Sequence, residues 1–207
     1  MFAILLSVLA GYLLGSVPFG LLVSRMKGVD IRLHGSGNIG ATNVWRVCGW
    51  RCGLPVFVLD VLKGVASVLV AGGISIRSGF DPAWPAVAAA TACILGHSFP
   101  IWLRFKGGKG VATSLGVLFG LMPMVSLGVL LLWAIVFKAS GYVSLASIVA
   151  AVALPLLAGV AQWAGWAYGW PCVGFAVIAA LLVLVRHRSN IQRLRAGTES
   201  RFGKKKS

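Results

Sequence analysis

At 207 residues, 58% hydrophobic and only 11% charged, the chain carries more apolar surface than a water-soluble core of this size can hide. That excludes a soluble globular domain and predicts an all-α, polytopic integral membrane bundle. The net charge of +15 comes from 19 Lys and Arg against four acids. The basic residues lie in short segments between apolar runs, which points to membrane topology and anionic lipid and argues against a nucleic-acid partner.

Spanning a bilayer takes roughly 20 apolar residues per helix. Residues 2–24 supply the first predicted span, with no charge before it and enough length to cross, so it reads as a helix rather than a removable signal peptide. The segment 34–46, His-Gly-Ser-Gly-Asn-Ile-Gly-Ala-Thr-Asn-Val-Trp-Arg, follows as a loop. The second span covers about 54–74, with Asp60 and Lys63 one turn apart near its start, and the third 82–103. A basic Lys-Gly-Gly-Lys-Gly stretch (106–110) then opens an uncharged run to residue 137 that carries Met122-Pro123 near its middle. The last uncharged run, 139–185, is too long for one helix and is predicted to break within the Gly- and Trp-rich segment 162–171.

Counting 110–137 as one span gives six helices and places the basic tail opposite the first loop, against the positive-inside bias. Splitting it at Pro123, into halves of about 14 residues or about 21 Å, gives seven. Every strongly basic segment then shares one face, and the other carries only Arg77 and Asp81. The expectation is one domain over 1–207 of about seven transmembrane helices, N-terminus outside and C-terminus cytoplasmic. A five-span variant with re-entrant pieces keeps the same sidedness.

Three segments carry chemistry. In 34–46, glycines let backbone N–H groups approach a ligand, and Ser36, Asn38, Thr42 and Asn43 offer hydrogen bonds. Arg46 can fork onto a phosphate monoester. The bland alternative is a flexible loop whose arginine only sets topology. In Lys106–Ser114, the turn at Gly107 and Gly108, Lys109 and the start of a helix form an anion site. GxxxxGK[ST] spacing and a preceding strand are absent, so no nucleotide is implied; the alternative is a basic boundary marker. The third segment, 186–199, holds His187 and Asn190 three apart among Arg186, Arg188, Arg193 and Arg195. It reads as a substrate-contacting face or as a lipid-bound juxtamembrane helix. Ser144, in Gly-Tyr-Val-Ser, either bonds substrate or caps a helix.

His34 and His97 are weaker candidates; His97 reads as a packed, hydrogen-bonded histidine, and the Asp60–Lys63 pair as an interior ion pair supporting the site. Cys48, Cys52, Cys93 and Cys172 show no CxxC spacing and read as free thiols without a metal role. Four dispersed acids predict no carboxylate metal site and no cofactor.

These segments, 34–46, 106–115 and 186–199 with 141–147 between them, resemble in the same order the signatures of the bacterial acyl-phosphate:glycerol-3-phosphate acyltransferases, the PlsY family. The likeness covers nearly the whole chain. It implies transfer of a fatty acyl group from acyl phosphate to the 1-hydroxyl of sn-glycerol 3-phosphate, giving lysophosphatidic acid and phosphate. The setting implied is the bacterial inner membrane, with the active site on the cytoplasmic face, membrane lipids as surroundings, and transient contact with the soluble enzyme that makes acyl phosphate. On this resemblance Ser36, Arg46, Lys109, His187 and Asn190 are the catalytic candidates. Asn38, Thr42, Asn43, Gly107, Gly108 and Ser144 are the substrate-binding candidates, and Glu199 is structural.

The chain has no HxxxxD pair of the acyl-CoA-dependent type and no GxSxG elbow. An acyl phosphate is already activated, so the protein's task is to hold two phosphates and aim a hydroxyl. The proton goes to the donor phosphate or, alternatively, to His187. The rival reading, a transporter or channel for a small phosphorylated or organic anion, would place charge in mid-span, where it is scarce.

Overall fold

The computed structural model describes residues 1–79 and 81–203, and within them the regular structure is helical, without strands. The chain divides into two compact units, Met1–Leu121 and the remainder from Met122.

The first unit holds α1 (Phe2–Ser16), α2 (Phe19–Arg25), α3 (Ala41–Cys48), α4 (Trp50–Ser78), α5 (Ala83–Ser98) and α6 (Val111–Leu121). The predicted first span is interrupted at Val17-Pro18, because proline has no N–H to give and disfavours helix in the residue before it; Val17 is extended (φ −63°, ψ 115°). Small residues bring the helices to backbone contact. Gly11 and Gly15 of α1 lie directly on Ala89 and Cys93 of α5, so that any Cβ there would strike main-chain atoms. Gly64 of α4 meets Thr113 and Val117 of α6 in the same way, and Gly116 of α6 meets Val61. This is how helices associate where lipid removes the hydrophobic drive between them. Outward-facing Leu5 and Leu69 are exposed at 62% and 66%, as hydrocarbon-facing side chains should be.

The second unit holds α7 (Pro123–Ser140), α8 (Val143–Trp163), α9 (Trp170–Arg186) and α10 (Arg188–Arg195). Pro123 starts α7 at a position where its missing N–H costs nothing. Gly141, at φ +74°, ends the helix and turns the chain into α8. The connection from α8 to α9 falls at residues 164–169, inside the predicted break. The tail then returns: the Phe202 N–H donates to the Gly141 carbonyl at 2.9 Å, and the Phe202 ring stands edge-on to Phe137 at 5.7 Å.

Five helical segments are long and apolar enough to cross a membrane. They are Phe2–Arg25, Trp50–Ser78, Ala83–Leu103, Pro123–Ser140 and Val143–Trp163; the pair Trp170–Arg186 and Arg188–Arg195, bent by 58°, makes a sixth. The division at Pro123 is present but unequal. α6 has 11 residues and α7 has 18, so α6 reaches only about 16 Å at about 1.5 Å per residue. The expectation of two equal halves fails because Lys138 does not end α7. A lysine can extend its stem along the helix and keep its ammonium at the interface.

Candidate functional site

In the first unit, the loop ahead of α3 is built on an apolar base and closed by one amide. Ile31, Ile39 and Val44 are buried with Leu21, and Leu103, from the segment leading to the second glycine-rich stretch, packs against them. Asp30 caps the short turn Ile31–Leu33 and pairs with the Arg32 guanidinium, whose Nε lies at 2.8 Å, holding the carboxyl well below its usual range. Gly35 and Gly37 sit at φ +61° and +68°, a region closed to most side chains.

Asn43, 2% exposed, does the closing. Its Nδ2 donates to the carbonyls of His34 (3.0 Å) and Asn38 (2.9 Å) and, more weakly, Ile31 (3.4 Å). Its Oδ1 accepts from the Ser36 N–H at 2.9 Å. The sequence reading gave Asn43 to substrate; the structure spends its amide on the loop, because the buried carbonyls of a tight turn need donors. Asn38 is similarly engaged, its Oδ1 accepting from the Gly40 N–H at 2.8 Å. Ser36 and Arg46 are exposed and Thr42 is half-buried in the first turn of α3. Among the described residues Arg46 has no carboxylate partner, so its guanidinium is available to an anion.

The second segment is a turn pressed onto the end of α5. Gly107 N–H donates to the Ser98 carbonyl at 3.1 Å and Gly108 N–H to the His97 carbonyl at 3.0 Å. A Cβ on Gly107 would strike the His97 carbonyl and Pro100, and one on Gly108 would strike the Nε2 edge of the His97 ring. Gly110, at φ +79°, leads into α6. The Gly107 and Gly108 N–H groups are thus spent on α5, and Lys109, half-buried, stands next to the first turn of α6, where a cation beside a helix N-terminus suits an anion. The hydroxyls of Ser98, Thr113 and Ser114 are buried here without a hydrogen-bond partner among the described residues.

In the second unit, three predicted residues meet one that was set aside as structural. Glu199 Oε1 accepts from Ser144 Oγ at 2.7 Å and from Asn190 Nδ2 at 2.6 Å, while Oε2 accepts from Arg193 Nε at 2.7 Å. Partial burial pushes the Glu199 carboxyl up, but these three bonds outweigh it and hold it below the usual glutamate range. Ser144 therefore neither caps α8 nor stands open; it anchors the tail. His187 and Asn190 do not lie on one continuous helix face, because His187 is the corner residue between α9 and α10. Both are buried, and His187 Nδ1 lies 2.8 Å from the Val183 carbonyl. A carbonyl only accepts, so Nδ1 carries a proton. Arg188 and Arg195 are exposed.

Sequence reasoning missed that Asn43 organises the first loop, whereas Glu199, read as structural, holds Ser144, Asn190 and Arg193. It also missed that Asp60 and Lys63 reach His97: Lys63 Nζ is 2.8 Å from Asp60 Oδ1 and 3.0 Å from His97 Nδ1. The available signal was the scarcity of acids, since in so apolar a chain each carboxylate must serve a specific partner.

The glycerol-3-phosphate acyltransferase family model matches residues 5–197. A glycerol-3-phosphate acyltransferase of Geobacter sulfurreducens is 47% identical, covering 92% of this chain and 93% of its own length; one of Geotalea daltonii is 46% identical, covering 94% and 95%. Among solved structures, PlsY, an integral membrane glycerol 3-phosphate acyltransferase, matches in its glycerol 3-phosphate form with TM-score 0.87 and 43% identity over 97% of this chain and 96% of that one. Its lysophosphatidic acid form matches with TM-score 0.84 and 42% identity over 97% and 95%.

Proposed function

The chain belongs to the glycerol-3-phosphate acyltransferase family, and we propose that it transfers a fatty acyl group from acyl phosphate to the 1-hydroxyl of sn-glycerol 3-phosphate in one direct step. The hydroxyl oxygen bonds to the acyl carbonyl carbon, the bond from that carbon to the phosphate oxygen breaks, and lysophosphatidic acid and inorganic phosphate leave. One observation carries the choice of donor: all four carboxylates are already engaged. Asp30 is bound to Arg32, Asp60 to Lys63, Glu199 to Ser144, Asn190 and Arg193, and Asp81 to the Ala83 N–H at 2.9 Å. No carboxylate stands ready as a general base, so a donor whose departing phosphate takes the hydroxyl proton suits this chain. His187 Nε2 is the second acceptor to consider, because its other nitrogen is committed to Val183.

Arg46, Ser36 and the Gly107–Lys109 turn would hold phosphate oxygens and offset their repulsion. Asn38 and Thr42 would shape the rim, while Asn43, Ser144 and Asn190 act through the scaffold they build. We place the N-terminus outside, the C-terminus and active site on the cytoplasmic face of the bacterial inner membrane, and the whole chain in one working domain of about seven helices with α6 as a shallow one. The basic segments then share a face, where the soluble enzyme that makes acyl phosphate can deliver it.

Purified protein incubated with labelled glycerol 3-phosphate and either palmitoyl phosphate or palmitoyl-CoA tests this. Product should form with the phosphate donor alone. Efficient turnover of the thioester would defeat the reading.

A further inference from the structure

Lys63, Asp60 and His97 are all at most 5% exposed and lie in α4 and α5, outside the segments that carry phosphate-type residues. A lysine ammonium has three N–H donors and no acceptor. Here two acceptors take hydrogen bonds from it, the Val17 carbonyl at 2.9 Å and His97 Nδ1 at 3.0 Å, and Asp60 Oδ1, at 2.8 Å, is its ion-pair partner. The Val17 carbonyl, at the break before Pro18, also accepts from the Phe19 N–H at 3.1 Å, and a carbonyl oxygen has a second lone pair for the lysine. Asp60 Oδ1 lies 3.6 Å from His97 Nδ1 and the ammonium only 3.0 Å, and an ammonium only donates, so His97 accepts there. The ring is then neutral and its proton is on Nε2. A charged ring would instead set a second cation beside the ammonium with one carboxylate for both.

The Nε2 edge is the part of the ring against Gly108, and the His97 carbonyl receives the Gly108 N–H. One residue thus touches the anion-binding turn from its backbone and its ring, and the buried lysine fixes the ring. We propose that Asp60, Lys63 and His97 form a positioning device for the phosphate-binding turn: Lys63 holds His97 as the neutral Nε2–H tautomer, and that ring and the His97 carbonyl fix the Gly107–Gly108 backbone and so set where Lys109 and the first turn of α6 meet a phosphate. The inference rests on the reading of the Gly107–Lys109 turn as a phosphate site. It makes His97 a positioning residue, not a catalytic one.

The experiment pairs spectroscopy with substrate-resolved kinetics on the full-length protein in detergent. The chain has three histidines, so ¹⁵N-histidine labelling with His97→Asn as the assignment variant isolates the His97 signals. They should report Nε2 protonated and Nδ1 unprotonated. In kinetics, His97→Asn keeps an acceptor for Lys63 but has nothing at the Nε2 position. KM should rise about 10-fold for one of the two phosphate substrates, with kcat within about threefold. His97→Gln, which can restore an N–H at that place, should recover most of the loss. The substrate affected, glycerol 3-phosphate or acyl phosphate, identifies whose phosphate the turn holds.

An imidazolium or an Nδ1–H tautomer at His97 would overturn the proposal. So would unchanged KM values in His97→Asn, or both KM values and thermal stability failing together. Lys109→Gln separates the two layers. If it too leaves both KM values unchanged, the turn is not a phosphate site; if it raises one while His97→Asn does not, only the positioning device is wrong.

Discussion

Replacing Asn43 by Ala should loosen the first loop rather than abolish a substrate contact, and the two can be told apart. The substitution removes three well-formed bonds, from Nδ2 to His34 and Asn38 and from the Ser36 N–H to Oδ1, together with the long one to Ile31. Each neutral bond contributes about 1 kcal/mol net, and buried groups left unpaired cost more. The loop closed by Asn43 should therefore lose about 3 kcal/mol of local stability, which at about 1.4 kcal/mol per decade is about a hundredfold rise in the opening equilibrium. Hydrogen–deuterium exchange read by mass spectrometry on the peptide covering residues 34–44 reports this directly, because exchange through local opening scales with that equilibrium. Asn43→Asp is the control. It keeps the acceptor for Ser36 but turns the carbonyl-facing amide NH2 into a repelling carboxylate oxygen, so it should open the loop at least as far as Ala. If KM rises in Asn43→Ala while exchange stays at the wild-type rate, Asn43 binds substrate and the clamp reading is refuted.

Arg46→Lys keeps the charge but not the fork, and charge-assisted bonds are worth about 1.5–3 kcal/mol. Activity should fall about 10- to 100-fold in a palmitoyl phosphate assay, whereas Arg195→Ala, an exposed position on α10, should cost little. Gly108→Ala drives a methyl into the His97 ring. It should raise the same KM as His97→Asn, and the double variant should fall short of the product of the two effects, since the sites touch. Glu199 is held below its ordinary value, so its contribution to stability is present above the usual glutamate range and is lost as pH falls through its folded value. Thermal melts should therefore drop on acidification, and Glu199→Gln should flatten that acid limb while lowering the neutral-pH midpoint. EDTA should leave activity intact; inactivation reversed by Mg²⁺ would contradict the direct transfer.

Much of the helix pattern was legible because punctuation residues have local causes. Pro123 starts α7, and the Gly- and Trp-rich stretch separates α8 from α9. The misplacements share one origin, the use of charge to bound a helix. α4 begins at Trp50 and contains Arg51, because Gly49, at φ +84°, sets its start; α7 runs past Lys138 to Gly141. Pro18 interrupts the helix within the first span, while Phe2–Arg25 stays one membrane-length segment.

The site was legible in a different sense. Composition could say which side chains suit a phosphate, but not which of them the fold would consume. Asn43 and Ser36 have the same claim on a ligand when read along the chain. Only packing separates them, since Asn43 faces the carbonyls of its own turn and Ser36 offers that turn a backbone N–H and turns its hydroxyl outward. In a chain with four carboxylates and +15 net charge, unpaired cations are plentiful and unpaired acids cannot be spared. Three of the four acids hold a site segment, Asp30 the first loop, Asp60 beneath the second and Glu199 the third, and Asp81 accepts from the Ala83 N–H at the start of α5. Proton transfer is thereby left to groups other than carboxylates, which is the condition under which a donor that carries its own base becomes the natural substrate.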